Sequence, residues 1–134
     1  MSATIAGIKT FYDASNATVT AFPLWLDQAK DKAAYPYAVM HDAGGNVSLA
    51  FTLGTYKKSR ITIRGLHTSD TTLSTWQAAV IARFHRATLT ITGATALSCI
   101  LADDYFRSTK ARDANGAVVY EATTIFRLEV ETSA

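Results

Sequence analysis

A chain of 134 residues, 49% of them apolar, has the length of one domain and enough apolar side chains to build a core without staples. Its lone cysteine, Cys99, excludes an internal disulfide framework and a multi-cysteine metal knot. No apolar run approaches the roughly 20 residues of a membrane-crossing helix and no basic segment leads into an apolar one at the amino end, so a soluble, non-secreted protein is expected. The charge is nearly balanced, 13 Lys+Arg against 11 Asp+Glu for a net +2, without the basic clustering of a dedicated nucleic-acid binder.

Residues 1–134 read as one domain, because no linker, repeat or low-complexity stretch divides them. Ile5, Ile8, Phe11 and Tyr12 fall on one stripe at helical spacing and predict an amino-terminal helix, with Ser2 or Thr4 as its cap and Asn16 as its stop. The aromatic segment from Thr18 to Leu26 contains Pro23, which lacks a ladder donor and marks an edge strand or irregular segment. Asp27 to Ala34 is polar and reads as a loop. Pro36 biases Tyr35 away from helix and opens an extended segment to His41. The run Asp42-Ala43-Gly44-Gly45-Asn46 is turn chemistry. Val47, Leu49, Phe51 and Leu53 alternate with polar or small residues and predict a half-buried strand. Tyr56 to Ser59 reads as a polar link, and Arg60 to Leu66 as a strand with Ile61 and Ile63 inward and Arg60, Thr62 and Arg64 outward.

The clearest helix follows. Ser69 or Asp70 offers a capping oxygen, and Leu73, Trp76, Val80 and Phe84 form its apolar stripe, with Gln77, Arg83 and Arg86 mostly off it. From Ala87 the period returns to two, through Leu89 and Ile91 and a longer run from Leu97 to Phe106. Asp113-Ala114-Asn115-Gly116 is the strongest turn signal in the chain. Beyond it Tyr120, Ala122, Phe126, Leu128 and Val130 line one strand face, with Arg127, Glu129 and Glu131 on the other. The pattern predicts an α+β fold: a mostly antiparallel sheet, two helices packed on one face, and a long C-terminal β-hairpin.

No catalytic or metal-binding constellation stands out. Cys99 alternates with Leu97 and Leu101 and reads as a buried small hydrophobe. His41, His67 and His85 lie on separate elements without ligand spacing. Asp103 and Asp104 are adjacent, so on a strand they point to opposite faces and cannot share one substrate. Most aromatics, Tyr105 and Phe106 among them, fit core positions. The positive signal is for assembly: with 18% charged residues, a Thr- and Ser-rich surface and open strand edges, little opposes pairing between copies. The densest basic group, Lys57, Lys58, Arg60 and Arg64, is a solvated strand face or a contact for phosphate or an acidic partner.

Several features taken together resemble the tail terminator, or tail completion, proteins of long-tailed bacteriophages. They are the amino-terminal helix, Phe22-Pro23-Leu24-Trp25, Tyr35-Pro36-Tyr37-Ala38-Val39, the single helix after the Arg60–Leu66 strand, and the ending from Arg112-Asp113 through Val119-Tyr120 to Phe126-Arg127-Leu128. The resemblance implies a virion protein at the tail–neck junction, assembled in the bacterial cytoplasm, with neither enzyme activity, cofactor nor membrane contact. Its copies would form a ring, commonly a hexamer, that caps the tail tube, stops its growth and meets the head-side connector or stopper protein. Genomic DNA would pass through the ring without being read. Candidate contacts between subunits, or with the tube protein, are Tyr56, Lys57, Lys58, Arg60 and Arg64 on one side and Asp113 and Asn115 on the hairpin turn. The competing expectations are another neck or tail tube component, or a small cytoplasmic enzyme or ligand-binding domain in which His41, Asp42 and His67 converge.

Overall fold

The structure, a computed structural model, describes residues 3–27, 29, 34–42, 47–49 and 55–132. The elements in chain order are α1 (Ala3–Asp13), α2 (Ala17–Thr20), β1 (Leu24–Leu26), β2 (Tyr37–Asp42), β3 (Val47–Leu49), β4 (Thr55–His67), α3 (Asp70–Phe84), β5 (Thr90–Ile91), β6 (Ala94–Arg112) and β7 (Val118–Thr132). One seven-stranded sheet runs in the order β1-β2-β4-β7-β6-β5, and β3 pairs with β4 beside β2. Every pairing is antiparallel except β1 with β2. The expected α+β plan with its C-terminal hairpin is therefore present.

Two long strands form the middle of the sheet. β4 and β7 pair along their whole shared length, from Thr55 opposite Thr132 to His67 opposite Tyr120. Ile61 and Ile63 on β4, and Ala122, Phe126, Leu128 and Val130 on β7, turn to one face and meet the buried stripe Leu73, Trp76, Val80 and Phe84 of α3. Ile8 and Tyr12 bring α1 onto the same core. α3 starts as its sequence demands, with the Ser69 side chain accepting from the Thr72 N–H.

A buried polar knot ties the helices together. The Tyr12 hydroxyl, 2.6 Å from the Phe22 carbonyl and 3.0 Å from that of Val19, accepts from Trp76 Nε1 at 3.1 Å. Burial pushes the Tyr12 phenol far above its usual range, so it stays neutral. Phe22 stacks on Trp76 with centroids 4.9 Å apart. Arg83 lies 3.7 Å over the Phe11 ring and donates to the Phe11 carbonyl and Ser15 Oγ. Gly65 lets Trp76 reach the sheet, because a Cβ there would stand 2.4 Å from Trp76 Cζ3.

Several expectations need correction. Asn16 does not merely stop α1; its side chain accepts from Val19 N–H and caps α2, a four-residue helix that overlaps the start of the Thr18–Leu26 segment expected to be an edge strand or irregular. Thr4 lies within α1 rather than capping it. Tyr56 to Ser59 is not a link but part of β4, held there by the ladder to β7, and Ser59 is buried. Gln77 is buried with the stripe of α3, and Arg86 lies beyond the helix in a left-handed conformation, φ 63°. Ser2, most of the Asp27–Ala34 loop, Ala43 to Asn46 of the turn, and Phe51 and Leu53 lie outside the described residues.

Candidate interaction surface

The sheet face turned away from the helices carries the outward side chains. Because residues paired across a ladder share a face, register assembles it: Tyr37, Val39 and His41 of β2 stand opposite Leu66, Arg64 and Thr62 of β4. Those meet Glu121, Thr123 and Ile125 of β7, which in turn meet Arg107, Tyr105 and Asp103 of β6. The centre of this face is buried although no helix among the described residues covers it: Val39, Glu121 and Thr123 are at most 4% exposed. Three irregularities in the β6–β7 ladder, at Ala96/Ser98, Leu101/Asp103 and Ser108/Arg112, bend the sheet.

Electrostatics on this face are uneven. Glu121 is paired with Arg107 at 3.4 Å and accepts from Thr123 Oγ1 at 3.2 Å, so its buried charge has a cation and a hydroxyl. Arg60 stands directly opposite Arg127, and neither has an acidic partner among the described residues. Like charges at a directly opposed pair oppose folding. Arg64 is half-buried, and its Nε is buried without a hydrogen-bond partner among the described residues.

The seven candidate contact residues fall into two groups. Lys58, Arg60 and Arg64 occupy alternate positions of β4, while Tyr56 and Lys57 stand opposite Glu131 and Val130 of β7. Asp113 and Asn115 sit on the hairpin turn, which projects beyond the end of β4. Ten residues of strand separate Arg127, beside Arg60, from the turn, or about 33 Å. The Asp113 carboxylate is occupied within the turn: Oδ1 accepts from the N–H groups of Asn115 at 2.9 Å and Ala117 at 2.8 Å. Gly116, φ 83°, supplies the left-handed residue the turn requires. Asn115 is exposed at the tip.

The geometry of an enzyme site is not assembled from the residues proposed for it. His41 lies opposite Thr62, five strand positions from His67 on β4, a separation of about 17 Å. His85 uses Nδ1 to accept from Leu101 N–H at 3.0 Å. Among the described residues no three His, Cys, Asp or Glu side chains are close enough to hold a metal ion, and no helix is long and apolar enough to cross a membrane. Between α1, α3 and the sheet lies a small cavity lined by apolar side chains and Cys99, whose thiol burial pushes up to about 11. Such a thiol is not a nucleophile at neutral pH.

Two features escaped the sequence reading. Tyr105 and Phe106, expected in the core, are 43% and 38% exposed on β6. Gln77 Nε2 donates to the carbonyls of Tyr105 at 3.0 Å and Thr123 at 3.2 Å, so a polar side chain in the stripe of α3 holds the two hairpin strands.

No protein-family model and no curated protein matches the sequence. Among solved structures, the fold is similar to that of a chain in the virion of a native gene transfer agent particle, with a TM-score of 0.69 and 14% identity. The similarity covers 94% of this chain and 92% of the other, so the whole architecture, and not one motif of it, is shared with a component of that particle.

Proposed function

We propose that this chain is a structural virion protein of a phage-like particle, acting as the ring that closes the tail tube at its head-proximal end. The observation that carries the reading is the fold shared over nearly its full length with a chain of a gene transfer agent virion. Six copies form the ring, end tube polymerisation and join the tail to the connector or stopper protein, while genomic DNA passes through the opening. The chain acts through contacts between chains and not through bond-making.

A ring of identical subunits needs two different patches that match each other. The arginines of the outer sheet face suit one of them. Arg60 and Arg127 oppose each other at a cost to folding and are available to an acidic neighbour. One face of the finished ring copies the end of the tube, and the other refuses a further tube ring, a difference set by complementary and opposed charges. Arg60→Glu or Arg64→Glu is expected to weaken assembly more than folding.

Electron cryomicroscopy of purified particles tests the assignment. One ring of this chain between tube and connector is the expected result, together with unjoined heads and tubes of irregular length when the gene is deleted. Copies repeated along the whole tube would make it a tube subunit, and absence from the particle would return the chain to the enzyme or ligand-binding class.

A further inference from the structure

The outer edge of β6 is covered along only part of its length. β5 pairs with Ala94 and Thr95. The segment after α3 then takes over, with Arg86 N–H donating to the Cys99 carbonyl at 2.7 Å and Leu101 N–H donating to His85 Nδ1 at 3.0 Å. From Ala102 to Arg112 no strand covers that edge among the described residues, since β7 lies on the other side. An uncovered edge of this length is a template for another strand.

The side chains along it carry a particular order: Asp103-Asp104-Tyr105-Phe106-Arg107, all exposed. Among the described residues, Tyr105 and Phe106 are the large apolar side chains most open to solvent. Reversed and laid beside itself with Tyr105 opposite Tyr105, the segment places Asp103 against Arg107 of the second copy and Arg107 against its Asp103. A parallel, in-register pairing would set aspartate against aspartate and arginine against arginine, so charge selects the antiparallel, two-fold arrangement.

The local chemistry suits it. Asp104 N–H is held by the chain's own Asp103 carboxylate at 2.9 Å, a contact that a neighbouring strand can replace, freeing that carboxylate. Arg107 is 61% exposed and uses one terminal nitrogen on Glu121, leaving its other donors without a hydrogen-bond partner among the described residues.

We propose that two copies of this chain pair through residues 102–108 of the β6 edge as an antiparallel, two-fold extension of the sheet. The contact is self-complementary and therefore distinct from the heterologous contact that closes a ring, and it does not rest on the ring assignment. A single short strand pair places it among small, transient interfaces.

Sedimentation velocity of the full chain over a wide concentration series is expected to show a monomer–dimer equilibrium. Asp103→Lys, which sets like charges opposite each other twice, should raise the dimer dissociation constant about tenfold or more with an unchanged circular dichroism spectrum. Tyr105→Cys should cross-link to a dimer on mild oxidation, because opposed residues lie within disulfide reach, whereas Lys110→Cys should not. A chain that stays monomeric, or a dimer indifferent to Asp103→Lys without the 105–105 cross-link, overturns the pairing. Ring-sized species indifferent to both changes overturn it too and leave the ring assignment standing. Dimers that respond as expected, with particles lacking this chain, do the reverse.

Discussion

Replacing Gln77 with methionine separates what its amide does from what its volume does. The two side chains are close in size, so the swap opens little cavity while removing both donated hydrogen bonds, to the Tyr105 and Thr123 carbonyls. The carbonyls are not equivalent. Thr123 is 1% exposed, so its oxygen keeps only what its place between β4 and β6 in the ladder gives it, whereas Tyr105 is at the surface and water takes the vacant place. Each lost hydrogen bond costs about 0.5–1.5 kcal/mol, giving about 1–3 kcal/mol in all. With a urea slope of about 1–3 kcal/mol per M, the midpoint should fall by about 1 M at unchanged slope. A fall below about 0.3 M would refute the claim that α3 holds the hairpin through this amide.

Gln77→Glu adds a test of sign. A carboxylate beside two carbonyl oxygens repels them and is desolvated, so the folded state favours its protonated form, raising its pKa above the unfolded value of about 4.3. Between those two values the folded chain keeps a proton that the unfolded chain has released, so stability falls as pH rises above about 4.3. Gln77→Glu should therefore be closest to the parent at acid pH and diverge from it toward neutrality in urea titrations. A parallel pair of stability–pH curves would contradict the geometry.

Three further outcomes are expected. Gly65→Ala should lower stability by about 1–3 kcal/mol through overpacking, read as a thermal midpoint, because Trp76 is stacked on Phe22 and bonded to Tyr12 and has no room to retreat. Cys99 should resist a disulfide reagent in the folded chain at pH 8 and react at once in denaturant, since burial raises its thiol to about 11; rapid reaction of the folded protein would show the thiol to be open. His67, lowered by burial and with Nδ1 lacking a hydrogen-bond partner among the described residues, should make the fold lose stability as pH falls below its ordinary value of 6.5, because the unfolded chain takes up the proton first. His67→Gln should flatten that part of the urea-midpoint profile.

Periodicity made the long elements legible. The stripes of α3 and the alternation of β4 and β7 survive because each packs one face against a single core, and that face is written at period 3.6 or 2. Elements whose position depends on something distant were not legible in this way. α2 is four residues long, too short to show a period, and exists because Asn16 caps it and Tyr12 ties its far end. Tyr56 to Ser59 looked like a link because of two lysines, yet β7 supplies a partner for every one of those residues. Gln77 looked like a surface residue because its type is polar, and only the folded hairpin presents it with two carbonyls. Of the candidate contact residues, sequence identified Arg60 and Arg64 as outward, but the opposition of Arg60 to Arg127 required the register of strands far apart in the chain.

That opposition bears on function more directly than any single residue type. Directly opposed like charges oppose folding by a few tenths of a kcal/mol or more, and neither guanidinium has an ion pair among the described residues, although Glu129 lies two residues along β7 from Arg127 on the same face. Glu121, six residues along β7 from Arg127, shows the alternative, a carboxylate buried with its own arginine. Places where a chain breaks its local rules are the places to look for a use outside the fold. The β6 edge is a second such place, with exposed aromatics where burial was expected. One lies on a sheet face and the other on a sheet edge, so a neighbour bound at the first does not occupy the backbone groups of the second. The two surfaces can therefore be engaged by different copies at once, as the proposed ring subunit with a further two-fold contact requires.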